Sequence, residues 1–269
     1  MKTPRLVLLS FSLLAFIAVG NADAARVAGD PGRHTAKGVS YAKKKNYDKA
    51  ADEFTKAIEA QPRDPKNYLN RGTVYQLTGK PKEALQDFDK AIELNPRQPD
   101  AYTNRGQVFL GQKKLDKAIV DFSKALEISP RDRSALRYRA YAYLQKKNWQ
   151  KAIEDYNVSI NTIRKIDVEG RIRRGYAYRN LGQNDKAIED FTAVIGHEPT
   201  NPEAYRRRAM AYIAEKNWSD ARQDLQKILQ LKPSDADAKA RLKYVNAKTP
   251  AAQRTMQAVA NQPKTPSRR

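Results

Sequence analysis

The chain has no cysteine. A disulfide, a thiolate nucleophile and a cysteine-based zinc site are therefore excluded, as is a lipid-bearing cysteine after a leader. Histidine is almost as scarce: His34 and His197 are the only two, far apart and in no metal-ligand spacing. There is no glycine-rich phosphate loop, no nucleophile elbow and no pair of histidines at helical spacing. Gly79-Lys80 runs into Pro81 and lacks the upstream glycine of a phosphate-binding loop. These absences describe a chain that is not an enzyme, with no catalytic residue, no cofactor and no metal expected. Acidic residues are also in short supply, 30 against 51 lysines and arginines, which leaves a formal charge of +21. Such an excess favours anionic partners: acidic protein segments, nucleic acid or an anionic membrane surface.

One long apolar run stands out, residues 6–20, interrupted only by Ser10 and Ser12. Lys2 and Arg5 precede it and Ala22-Asp23-Ala24 follows, with the small-x-small form of a cleavage site. Residues 1–24 therefore read as a secretory signal peptide. The run is shorter than the ~20 residues a membrane-spanning helix needs. A periplasmic or secreted location follows, with cleavage after Ala24; retention as an N-terminal anchor is the alternative. Even with this run included, the mean hydropathy of the whole chain is −0.80, which is strongly polar.

What is present is repetition. A small column, Gly38, Gly72, Gly106, Ala140, Gly175 and Ala209, recurs at steps of 34 or 35 residues. Three residues after each stands an aromatic: Tyr41, Tyr75, Phe109, Tyr143, Tyr178 and Tyr212. An unbroken alanine column follows (Ala50, Ala84, Ala118, Ala152, Ala187, Ala221), then a bulky one (Phe54, Phe88, Phe122, Tyr156, Phe191, Leu225). Proline closes five of the six repeats, at Pro62, Pro96, Pro130, Pro199 and Pro233. A fixed period of this length means stacked helical hairpins, none of which can bury its own apolar face alone. Each hairpin has room for two helices of about 13 residues, roughly 20 Å long. The small column lets the second helix approach the first, and proline ends it. The aromatics of the second column, with Trp149 and Trp218, read as hairpin packing. Acidic pairs such as Asp52-Glu53 and Glu154-Asp155 read as a solvated face.

On these columns the chain resembles a tetratricopeptide repeat (TPR) protein. The resemblance implies an all-α fold, a right-handed α-α superhelix of six hairpins at 31–64, 65–98, 99–132, 133–167, 168–201 and 202–235. A linker at 25–30 precedes them; a capping helix at 236–248 and a disordered basic tail at 249–269 follow. The fourth repeat is one residue longer, with Arg164 where proline is expected. Its end reads as an insertion in an exposed turn or as a local change of superhelical pitch.

The family binds partner segments in the groove lined by first helices, and the residue two before each small position usually faces it. Here that column is Ala36, Asn70, Asn104, Tyr138, Arg173 and Arg207. Asn70 and Asn104 resemble asparagine ladders that pair with a peptide backbone. Arg137, Tyr138, Arg173, Arg179, Arg206 and Arg207 give the second half a cationic character suited to carboxylates. Arg71, Arg105, Arg139, Arg174 and Arg208, each next to the small column, read as solvating arginines with buried stems. The expectation is a protein-binding scaffold of the cell envelope with an acidic peptide as guest. The alternative is an electrostatic binder of an anionic polymer, a membrane surface or nucleic acid, through the basic surface and tail. Nucleic acid is disfavoured by export, and the oligomeric state is left open.

Overall fold

The computed structural model describes residues 32–162 and 166–249. The expected leader (1–24) and linker (25–30), Arg164 and the basic tail beyond Thr249 lie outside those residues. Among the described residues all regular structure is helical. The hairpins are α1 (Gly32–Lys43) with α2 (Tyr47–Ala60), α3 (Pro65–Leu77) with α4 (Pro81–Leu94), and α5 (Pro99–Gly111) with α6 (Leu115–Ile128). They continue as α7 (Arg133–Gln145) with α8 (Trp149–Asn161), α9 (Val168–Asn180) with α10 (Asn184–His197), and α11 (Pro202–Ala214) with α12 (Trp218–Leu231). A single helix, α13 (Ala236–Lys248), ends the array, and Thr249 closes it with its hydroxyl on the Val245 carbonyl. None of these helices is long and apolar enough to cross a membrane. The contacts divide the chain into two compact units, the first ending at Ala142 within α7 and the second beginning at Tyr143.

Local chemistry explains where the helices begin and end. Pro65, Pro81, Pro99 and Pro202 occupy the first turn, where no backbone donor is needed. Asn46, Asp64, Asn148, Asp167, Asn201, Asn217 and Asp235 cap their helices by accepting from backbone N–H groups of the first turn. Each first helix stops in the same way. The residues at 45, 79, 113, 147, 182 and 216 have positive φ, between 57° and 74°, and only Gly79 and Gly182 are glycine. The next residue's N–H reaches back to the aromatic column, Asn46 to Tyr41 and Lys80 to Tyr75, which closes a Schellman-type turn. Lysine takes the left-handed position four times at some cost in backbone energy.

The small column is where two helices nearly touch. A Cβ built on Gly38, Gly72, Gly106 or Gly175 would stand 2.6–2.8 Å from a ring carbon of Phe54, Phe88, Phe122 or Phe191. Those four phenylalanines are fully buried. In the last hairpin Ala209 takes the glycine position and Leu225 the phenylalanine position, and both lie in the core that α13 completes through Ala238 and Val245. There alanine meets a shorter side chain, whereas in the fourth hairpin Ala140 and the buried Tyr156 hold the two positions. In the first unit, Leu69, Ala84, Phe88, Ala91, Ala101 and Val108 form a comparable cluster under the second and third hairpins.

A further contact pins the inter-repeat turns. The hydroxyls of Tyr68, Tyr102 and Tyr205 donate to the carbonyls of Pro62, Pro96 and Pro199. The fourth hairpin keeps Pro130 but has Leu136 at the tyrosine's position, and the fifth has Arg171 there and no proline before it.

Gly175→Ala should lower unfolding free energy by about 1–2 kcal/mol despite alanine's better helix propensity, because the new methyl overlaps Phe191. Adding Phe191→Leu should cost less in that background than in the parent, as measured by a double-mutant cycle in urea. Additive losses would rule out the steric pairing.

Candidate functional site

First helices touch first helices: α1 meets α3 and α3 meets α5 in the first unit, and α9 meets α11 in the second. Among the described residues the second helices make no comparable contacts with one another. The first-helix side is therefore the tighter, inner face of each unit, and the residues singled out from sequence lie on those helices.

Behind that face runs a repeated ion pair. Arg71, Arg105, Arg174 and Arg208 each grip an aspartate 16 residues on, Asp87, Asp121, Asp190 and Asp224, through Nε and Nη2 at 2.6–2.9 Å. The remaining Nη1 of each donates to the second helix of the preceding hairpin, at Thr55, Asp89, Asn157 and Thr192. Arg139 makes the same outward contact to Ser123. One guanidinium thus ties three helices, which a lysine's point charge could not do. The sequence reading of these arginines as solvating side chains is corrected: their guanidiniums are bonded between helices. Nor is the acidic strip wholly solvated: Asp52 and Glu154 are exposed, but Asp155 is buried and the Glu53 carboxylate is nearly so. Burial pushes the Asp87, Asp121 and Asp224 carboxyls above the ordinary aspartate range, and the arginine hydrogen bonds act against that shift. The same bonds raise the arginines. In the first hairpin Lys37 replaces arginine, and Glu53 is held instead by His34 at 2.7 Å and Lys56 at 3.3 Å. Cationic groups cover the aromatic column: Lys49 lies over Tyr41, Arg71 and Lys80 over Tyr75, Lys117 over Phe109. Its tyrosines are half-buried rather than core.

The inner face of the first unit is lined with amides and hydroxyls. Thr35 donates to Asn67 at 2.7 Å, Asn104 to Thr73 at 3.1 Å, and Gln76 to Gln107 at 3.4 Å. Asn104 is fully buried, and both its amide atoms are engaged, by Thr73 and Gln107. Asn70, equally buried, has no partner for either amide atom. The repeat explains why. Val39 stands one period before Thr73, so the hydroxyl that receives Asn104 has no counterpart for Asn70. Tyr138 is buried and stacks on Phe122 at 5.8 Å, and burial pushes its phenol up to about 12. Arg137, beside it on α7, is half-buried.

The second unit differs. Arg173 pairs with Glu169 one turn earlier, and Arg207 with Glu203 at 2.8 Å. Arg206 is shared among Glu203, Asp235 and Asp237, at 2.8, 2.5 and 3.5 Å. Around Tyr176 the guanidiniums of Arg179 and Arg207 lie 5.8 and 5.3 Å from the ring centroid, and Trp149 packs edge-on at 5.7 Å. Arg179 has no carboxylate partner among the described residues. Sequence reasoning missed Tyr176 as the hub of this group and missed the pairing role of Glu169 and Glu203. The glutamates were findable, standing at helical i, i+4 spacing before the arginines. No group of three or more histidine, aspartate or glutamate side chains among the described residues could hold a metal.

Three tetratricopeptide repeat models match, at 33–64, at 65–98 and 99–132, and at 120–163 and 172–236. Together they span well over half the sequence, and the chain belongs to the tetratricopeptide repeat family. Members bind protein or peptide partners, and this chain is a scaffold of that class. No curated protein matches the sequence. Among solved structures, the chain is similar to YrrB, described as a TPR protein with an unusual peptide-binding site. Identity is 25% with a TM-score of 0.67, covering 72% of this chain and 100% of that one. It is also similar in fold to PilF of Pseudomonas aeruginosa, at 16% identity and TM-score 0.66, covering 81% and 97%. A TPR protein of Parabacteroides merdae, at 22% identity and TM-score 0.62, covers 81% and 87%.

Removing one partner of a buried pair leaves an uncompensated charge. Asp121→Ala should therefore cost about 2–4 kcal/mol in urea denaturation, whereas Glu93→Ala, at an exposed pair, should cost less than about 0.5 kcal/mol. Comparable losses would deny the tie its structural role. Val39→Thr should give Asn70 its missing partner and leave stability level or raised by up to about 1 kcal/mol. Val74→Thr, also buried but not 31 residues before an asparagine of this column, should lose about 1–2 kcal/mol. Similar losses at both sites would disprove the repeat-based account of Asn70.

Proposed function

We propose that the chain is a non-enzymatic adaptor of the cell envelope that holds an acidic peptide segment of a partner protein on the inner face of its repeats. The observation that carries this reading is the Tyr176 cluster. Arg179 has no carboxylate partner among the described residues, and Arg207 keeps its Nε without an acceptor although its Nη2 is paired with Glu203. A guest carboxylate laid against Tyr176 would complete Arg179's planar fork. The peptide-binding description of YrrB supports the class of ligand, and the formal charge of +21 supports its sign. Envelope location rests on the leader-like residues 1–24.

Arg173, Arg206 and Arg207 contribute differently from Arg179. Each has an internal carboxylate, so a guest at these positions competes with Glu169 or Glu203 and gains less than it would from a free arginine. Asn70 and Asn104 are fully buried, so the arginine side of the inner face carries the proposal.

The test is fluorescence anisotropy with a labelled acidic peptide and its Asn/Gln counterpart at physiological salt. The acidic peptide should bind more tightly, and Arg179→Glu should weaken it by about tenfold or more. Arg97→Glu, on an exposed turn, should change it less than about twofold. Equal binding of both peptides, or an unaffected Arg179→Glu, would refute the acidic-guest reading.

A further inference from the structure

The two edges of the first unit differ in charge. Stretches 43–49, 77–83 and 111–117, which join first helices to second helices, hold nine lysines, no arginine and three acidic residues. Stretches 59–66, 93–100 and 127–134, which join one hairpin to the next, hold five basic and six acidic residues. Because the hairpins repeat, each set of turns lies along one edge of the stack, so one edge is strongly positive and the other close to neutral. None of the nine lysines enters an ion pair among the described residues. Lysines on the second helices do: Lys56 pairs with Glu53, Lys90 with Glu93 and Lys124 with Glu127. Lys45 and Lys113 occupy the left-handed position that Gly79 fills between them, at φ of 58° and 59°, where glycine would be less strained. The charge fades along the chain, and the corresponding stretches of the second unit, 145–151, 180–186 and 214–220, hold five lysines against three acidic residues.

We propose that this lysine edge docks the first unit on an anionic phospholipid surface, independently of any peptide held on the inner face. Exposed ammonium groups on flexible stems need no fixed bonding geometry, and they sum as a row of point charges within a Debye length of a negative plane. Nucleic acid fits less well. The edge lacks arginine, the residue that reads bases and stacks on them, and its one aromatic, Tyr47, is half-buried against the first core, so there is no stacking platform.

The experiment measures partition of the full chain onto phosphatidylcholine vesicles with and without about one third phosphatidylserine, taking the ratio so that any contribution of the apolar run cancels. Lys44→Glu/Lys82→Glu/Lys114→Glu should cut the anionic preference at least about tenfold. Arg63→Glu/Arg97→Glu/Arg131→Glu makes the same net charge change on the opposite edge and should cut it less than about threefold. Circular dichroism checks both folds, and the three Lys→Gln changes replace the first set if charge reversal disturbs the turns. Equal losses from the two sets, no wild-type preference for anionic vesicles, or tighter binding to duplex DNA at matched phosphate would each overturn the proposal.

Discussion

A guanidinium that bonds three helices at once is the contact on which this array depends. The small column brings the two helices of a hairpin together, but it says nothing about the next hairpin. The arginine beside it does both. Two of its nitrogens grip the aspartate of its own second helix, and the third reaches the second helix before it. The aspartate is buried and gives up hydration, so the pair is tolerable only because both carboxylate oxygens are met by a planar donor. Part of the chain's basicity is therefore structural. The arginines at these positions are matched by internal carboxylates and add little to the field a partner meets.

The same distinction organises the surface. Inner-face arginines of the second unit are mostly balanced by glutamates a turn away, and the turn lysines of the first unit are not balanced at all. Formal charge alone would treat the two groups alike. Pairing separates them into a local site at Tyr176, where one cation lacks a carboxylate partner, and a long edge, where every lysine does. Amides and hydroxyls line the inner face of the first unit instead, and several pair across neighbouring first helices, which helps fix the register of one repeat against the next. Asn70 is the break in that chain.

Much of this architecture was legible in the residues. Gly106 and Phe122 recur one period away as Gly72 and Phe88, and a contact that repeats in sequence must repeat in space. The aspartate column was not read, although it recurs as regularly. Asp155 sits beside Glu154, and one of the two faces water while the other is buried, a difference that turns on the angle of a single residue around the helix. The left-handed lysines were hidden for a related reason. Glycine at 79 and 182 marks the turn, but lysine at 45, 113, 147 and 216 carries no such mark, and only its homologous place in the repeat assigns the conformation.

By itself the sequence determined the helical hairpins, their number, their period and the side chains that let them pack, because those depend on spacing along one chain. It also determined the excess of positive charge. Only the tertiary structure decided which of those charges are already answered. Whether Arg173 meets Glu169, Arg71 meets both Asp87 and Thr55, or Arg179 meets only an aromatic ring depends on distances between helices. An ion pair's worth falls so steeply with distance and exposure that composition cannot rank one arginine against another.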